Sequence, residues 1–170
     1  MGGKLGIQGN SARGIDLPSE DINTDIKVTS IKQPQSSCPF KDARQKIYGL
    51  GYNLLLFVYD KSDHNDDGGN YSILKFVSCA FIFKERTGDY QMTSLILNAL
   101  KNNANKDDIM AIFEDRNLPG DEITYNKLAE DILNNPPKQG YLTISNALQW
   151  RLQYSRIVSM NSTDGVDKIV

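Results

Sequence analysis

The chain has 170 residues, 39% hydrophobic and 24% charged, enough for one domain or two small ones with a real core. No run of about 18 apolar residues occurs, and the opening "MGGKLGIQGNSARG" lacks a hydrophobic stretch, so neither a membrane span nor a secretory signal is expected, and the cytoplasm is. A net charge of −2 excludes indiscriminate binding to nucleic acid, because counterion release needs lysine and arginine facing the phosphates.

The distribution of charge says more than the total. Between residues 27 and 61 the cations Lys27, Lys32, Lys41, Arg44, Lys46 and Lys61 meet only Asp42 and Asp60, whereas residues 101–137 are predominantly acidic. A polyanion would prefer the first third of the chain, although a bias this modest also describes solvated faces. Cys38 and Cys79 are too few and too far apart for a zinc cluster or a disulfide scaffold, and each is expected to pack as a small apolar side chain.

In chain order, "RGIDLP" (13–18) reads as a short strand ending at Pro18, followed by the polar turn "SEDINT". "DIKVTSI" (25–31) reads as a second strand forming a hairpin with the first. The loop "KQPQSSCP" then leads to a helix capped by Ser36 or Ser37, with Pro39 in its first turn and a stop at Gly51. "YNLLLFVYD" (52–60) is an apolar run of strand length, as expected for a strand covered on both faces. Strand, helix, strand favours a parallel pair with a right-handed crossover, placing 25–31 beside 52–60 in the sheet interior. "DKSDHNDDGGN" reads as a surface loop and "YSILKFVSCAFIFK" as one or two further strands.

Beyond Arg86 the pattern turns helical, with helices expected over roughly 90–102, 107–117, 122–134 and 145–157 and a small hairpin in the tail "RIVSMNSTDGVDKIV". Three helices followed by a hairpin are the order of a winged helix-turn-helix, in which the last helix enters the major groove. A boundary near residue 88 divides an expected core, 1–87, from an expected winged-helix-like domain, 88–170.

Asp25 and Lys27 lie two apart in a strand, so both emerge from one face, and the hairpin can bring Asp16 beside Asp25. Hydrolysis of a phosphodiester requires a cation to offset charge on the phosphorane, an activated water and a group that stabilises negative oxygen. Two carboxylates and a lysine meet those needs. A hard cation such as Mg2+ prefers oxygen ligands, here Asp16, Asp25 and the Ile26 backbone carbonyl with water. The plain alternative is a surface ion pair between Asp25 and Lys27, with Asp16 a turn residue before Pro18.

"GID" followed by "DIK", with a hairpin, a crossover helix and the next parallel strand in that order, resembles the PD-(D/E)XK nuclease superfamily over roughly residues 7–84. The resemblance implies an α/β, restriction-endonuclease-like mixed sheet, metal binding by Asp16 and Asp25, and a Lys27 that orients or helps to deprotonate the attacking water. It departs from the signature at Ile15, which replaces a proline, and upstream, where only Gln8 stands near the position of a helical glutamate found in many members. Gln45 and Tyr48 are three apart rather than the four typical of recombination-type nucleases, which favours the restriction-enzyme branch.

The acidic loop around His64 lacks the spacing of a calcium loop and reads as a solvated loop. Candidate DNA contacts in the first half are Arg13, Lys32, Gln33, Gln35, Ser36, Ser37, Lys41 and Arg44, because these residue types suit bases and phosphates alike. In the expected last helix, Ile144, Leu148 and Leu152 would face the core and leave Asn146, Gln149, Arg151 and Gln153 for the groove, while Trp150 and Tyr154 suit a core better than base stacking. The leading reading is a type II restriction-like endonuclease that cuts double-stranded DNA with magnesium as a homodimer. The alternatives are a non-catalytic winged-helix regulator, which has no use for Asp16, Asp25 and Lys27 together, and a repair or junction nuclease of the same superfamily.

Overall fold

The computed structural model describes residues 15–37, 40–146 and 148–170, with the backbone alone at 145, 146, 149 and 150. In chain order the elements are β1 (Thr24–Ser30), β2 (Gln35–Ser36), α1 (Ala43–Tyr48), β3 (Asn53–Asp66), β4 (Gly69–Ile82), α2 (Tyr90–Lys101), α3 (Lys106–Asp115), α4 (Glu122–Asn134), β5 (Thr143–Asn146), β6 (Gln149–Gln153), α5 (Ser155–Ser159) and β7 (Val166–Lys168). They form two compact units that interleave along the chain: 1–36, 52–83 and 154–170 make the first, 37–51 and 84–153 the second. These units do not run as the stretches 1–87 and 88–170.

The first unit is built on a four-stranded mixed sheet in the order β1-β3-β4-β7. The expected parallel pair is present, with Asp25 beside Leu54 and Lys27 beside Leu56, while β3–β4 and β4–β7 are antiparallel. β1 lies at the edge of this sheet rather than in its interior. Leu54, Leu56 and Val58 of β3 are buried and the residues between them are half-buried, so one face of this strand is packed rather than both.

Two expectations fail in this unit. The acidic stretch 60–70 is not a loop: β3 and β4 pair from Leu54↔Ile82 to Asp66↔Gly69, closed by a two-residue turn at Asp67 and Gly68. Gly69, at φ 111°, supplies a backbone conformation that L side chains rarely adopt. The tail is not a self-contained hairpin either, since β7 completes the sheet by pairing with Ala80–Ile82.

The second unit holds an apolar core in which Ala43 and Ile47 of α1 pack with Met92 and Ile96 of α2, Ile109 and Phe113 of α3, and Leu128, Ala129 and Ile132 of α4. The cap of α1 is Asp42, whose carboxylate accepts the Gln45 N–H at 2.8 Å, rather than Ser36 or Ser37. Pro39 lies outside the described residues. The helix ends at Gly49, before the expected Gly51, because φ is 97° there and a Cβ would meet the Lys84 carbonyl at 2.3 Å. α2, α3 and α4 fall where the apolar spacing predicts them, each N-capped by an aspartate or asparagine side chain.

The fourth expected helix, 145–157, does not form. β5 and β6 make an antiparallel hairpin there, and only Ser155–Ser159 is helical. No helix among the described residues is long and apolar enough to cross a membrane.

Candidate active site

Asp16 and β1 meet where the chain reverses. Leu17 and Thr24 exchange backbone hydrogen bonds of 2.9 and 3.0 Å, and Ser19 O accepts the N–H groups of Ile22 and Asn23 to close the turn. The expected hairpin is thus reduced to one antiparallel bridge. The next rung is made by a side chain, since Asp16 Oδ2 accepts the Ile26 N–H at 2.8 Å. In an extended strand the N–H and C=O of one residue point to the same edge. The Ile26 carbonyl therefore leaves β1 on the side from which the Asp16 carboxylate approaches.

Asp25 and Lys27 share a face of β1, and Lys27 Nζ sits 2.6 Å from Asp25 Oδ2. Asp25 is 3% exposed, so this is no surface ion pair. Its Oδ2 is buried against the Lys27 ammonium, and the Asp16 carboxyl lies beside the same side chain. Burial pushes the Asp25 carboxyl above the ordinary carboxylate range, Lys27 works against that shift, and the neighbouring Asp16 carboxyl adds to it. A buried carboxyl whose ionisation is disfavoured by burial and by a second carboxyl beside it is a position that a hard dication would relieve. The lysine alone does not relieve it.

The chemistry of this donor set suits magnesium better than calcium or zinc. Magnesium keeps several waters and is held by one or two carboxylates, whereas calcium takes six to eight oxygens and zinc favours nitrogen and sulfur. No group of three or more His, Cys, Asp or Glu side chains with metal-binding geometry occurs among the described residues.

Thr29, two residues beyond Lys27 and buried, ties the following loop to β1. Its Oγ1 donates to the Gln35 carbonyl at 2.9 Å, accepts the Gln35 N–H at 2.9 Å and lies 3.2 Å from the Gln33 carbonyl. The alternation in "DIKVT" puts Thr29 on the face of Asp25 and Lys27, which was the available signal for this role. Lys32, Gln33 and Ser37 of the loop are exposed, and Gln35 and Ser36 half-buried.

The other candidate DNA contacts are less uniform. Lys41 is exposed, and its backbone N–H is held by Gln45 Oε1 at 2.9 Å. Arg44 hydrogen-bonds Asp131 and lies 4.9 Å above the Tyr48 ring, so its guanidinium already has protein partners. Gln45 and Tyr48 serve structure as well, the first donating to the Leu50 carbonyl and the second to that of Asn135. Arg13, Gln8 and Cys38 lie outside the described residues, and Cys79 is a buried free thiol. Asn146, Gln149, Arg151 and Gln153 stand on the β5–β6 hairpin rather than a helix, with Arg151 exposed, Gln153 half-buried and Leu152 buried between them.

The family model for the type II restriction enzyme NspV matches residues 4–168. The chain belongs to the NspV family of type II restriction enzymes. The curated type II restriction enzyme NspV of Nostoc sp. (strain ATCC 29411 / PCC 7524) is 56% identical over 161 residues, which covers 94% of this chain and 71% of that protein. No solved structure matches. Membership in the NspV family makes the protein a type II restriction endonuclease, a hydrolase acting on double-stranded DNA, and does not favour the non-catalytic regulator.

Proposed function

We propose that this endonuclease cuts DNA by the PD-(D/E)XK mechanism, with Asp16, Asp25 and Lys27 as its catalytic residues. The observation that carries the reading is the buried Asp25 carboxylate, flanked by Lys27 at 2.6 Å and by the Asp16 carboxyl that is itself fixed on the Ile26 N–H. Asp16, Asp25 and the Ile26 carbonyl would hold Mg2+. The ion supplies positive charge for the developing phosphorane and lowers the pKa of a bound water.

The protein's own groups do the rest. Asp25 and Asp16 offer carboxylate oxygens on one edge of β1, and the hydrogen bond from Ile26 prevents the Asp16 side chain from rotating away. Lys27 opposes the rise that burial imposes on the Asp25 carboxyl and presents an ammonium to the scissile phosphate, where it stabilises negative oxygen. The loop 31–37, anchored by Thr29, presents Lys32, Gln33, Gln35, Ser36 and Ser37 to the DNA. Lys41, Arg13 and, by exchange of its partner Asp131, Arg44 add backbone contacts.

For base reading we assign the β5–β6 hairpin, with Asn146, Gln149, Arg151 and Gln153, because the major groove admits a two-stranded β-ribbon as readily as a helix. In a winged-helix scheme α2, α3 and α4 would be the helices and this hairpin the wing. α4 is a poor reader in that scheme, since Glu122 and Glu130 are exposed on it. Two copies, each with one site, would cut the two strands of a duplex.

The test is cleavage of plasmid by wild type, Asp16→Asn, Asp25→Asn and Lys27→Ala across a magnesium series, with calorimetric titration of the metal into each protein. Loss of cutting in all three, with loss of metal affinity in the aspartate variants, is expected. Undiminished cutting by any one of them refutes the site.

A further inference from the structure

We infer that the outer half of the β3–β4 ribbon is a dimerisation arm, through which the open edge of β4 pairs with the same edge of a second copy. Beyond the bulge at Val58/Tyr59 the two strands continue from Tyr59↔Phe76 to Asp66↔Gly69 with no third strand among the described residues. Every residue from Asp60 to Phe76 is exposed. Four of them are large and apolar: Tyr71, Ile73, Leu74 and Phe76, at 47, 48, 54 and 59% exposure. A two-stranded ribbon alone in water is marginal, and one with apolar side chains on both faces calls for a cover.

Charge decides what that cover is. The ribbon carries Asp60, Asp63, Asp66 and Asp67 against Lys61 and Lys75, an acidic balance that DNA would repel. Its two edges also differ. Beyond Tyr59, β3 carries Asp60, Lys61, Asp63 and Asp66, the charges that ordinarily protect an edge from pairing. β4 has one charged residue, Lys75, and β7 pairs with Ala80–Ile82 of it, so the exposed stretch Gly69–Phe76 carries Tyr71, Ile73, Leu74 and Phe76 with a single charge.

Antiparallel pairing of a strand with its own copy is two-fold symmetric, and the axis places each residue opposite one on the same face. With the axis at Ile73, Ile73 meets its own copy and Lys75 faces Tyr71 of the second copy on either side, a cation over an aromatic ring. The acidic β3 strands are then outermost, one strand removed from the joint. This inference rests on the reading that two copies cut the two DNA strands, and it names the surface that joins them.

The experiment exploits the axis, where any charge introduced is doubled. Ile73→Glu and Ile73→Lys are made in the full chain, and Ile73 is exposed enough for either to fold, which circular dichroism checks. Sedimentation without DNA should give twice the 19.0 kDa chain mass for wild type, the single mass for each variant, and the double mass again for an equimolar mixture of the two. A monomeric wild type, or variants that remain dimeric, overturns the inference. So does a variant that stays dimeric yet loses DNA affinity, which would give the ribbon to the substrate. Plasmid cleavage separates the two claims: monomeric variants that still linearise plasmid as wild type does leave the arm standing and remove the two-copy account of cutting.

Discussion

Asp16 Oδ2 accepts the backbone N–H of Ile26 at 2.8 Å, so a side chain takes the place that a partner strand would occupy at the edge of β1. The bond fixes one carboxylate beside the strand that carries Asp25 and Lys27. It also separates geometry from charge. Asp16→Asn keeps an acceptor for Ile26 but loses the negative ligand, whereas Asp16→Ala loses both. Calorimetry should find metal affinity lost in both variants, with the melting temperature lowered only in Asp16→Ala. Wild-type metal affinity in Asp16→Asn would remove Asp16 from the ligand set.

Lys27→Ala should lower the cleavage rate by about a hundredfold or more, the usual effect of losing one electrostatic group aimed at the transition state. Binding to DNA should stay within a few fold, measured in calcium or without metal. The same change removes the group that favours ionised Asp25, so residual activity should demand a higher pH than wild type needs. Ordinary cutting, or an unmoved acid limb, contradicts the role given to Lys27.

The pH dependence of the metal-free protein follows from Asp25, whose carboxyl is raised by burial first, with Asp16 adding and Lys27 opposing. The folded state then holds this proton more tightly than the unfolded chain, whose reference value is 3.8. Stability that this group contributes at low pH is lost as pH climbs from the unfolded value through the raised one, and the loss is complete above it. Asp25→Asn carries no such titration. In chelator at neutral pH it should melt above wild type, by about 2–4 °C for each kcal/mol relieved. Added magnesium should stabilise wild type and leave the variant unmoved.

Much of this site was legible because strand alternation alone puts residues 25, 27 and 29 on one face, and the apolar run 54–58 marks a packed neighbour for them. The tip of the β3–β4 ribbon was not legible, since residues 60–67 carry acid and polarity where strand patterning asks for apolar alternation. Their strand geometry comes from pairing and from the turn at Asp67 and Gly68, which a reading of hydrophobicity cannot weigh. The hairpin β5–β6 departs from the helix that its spacing predicts for a subtler reason. Ile144 and Leu152, eight apart, suit one face of a helix, and in the structure they are paired opposite each other across two strands. Spacing by itself does not distinguish the two, and the cap of α1 shows the same weakness, with Asp42 taking the place expected of a serine.

Thr29→Val is isosteric and removes the hydroxyl that serves both backbone groups of Gln35. Unsatisfied, those groups should lower stability by about 1–3 kcal/mol. The loop carrying Lys32 and Gln33 should loosen, weakening DNA binding more than the chemical step. Thr29→Ser, which keeps the hydroxyl, should recover affinity. If valine and serine behave alike in a binding titration, the loop is held by other means.

Arg151 separates recognition by the β5–β6 hairpin from recognition by the loop after β1. It is exposed on β6 beside buried Leu152, so its removal leaves the packing intact. If Arg151 makes a bidentate contact to one base, Arg151→Ala should cost about 1–3 kcal/mol at that base pair and relax selectivity there, whereas a phosphate contact would weaken all duplexes alike. Deleting residues 88–170 is the wrong form of this experiment. It would strip Ala43 and Ile47 of the core they share with α2, α3 and α4, and remove β7 from β4. The point variant is measured instead, by competition between the cognate duplex and duplexes changed at single positions. Selectivity unchanged at every position returns base reading to Gln33, Gln35, Ser36 and Ser37, where Thr29→Val should then alter specificity as well as affinity.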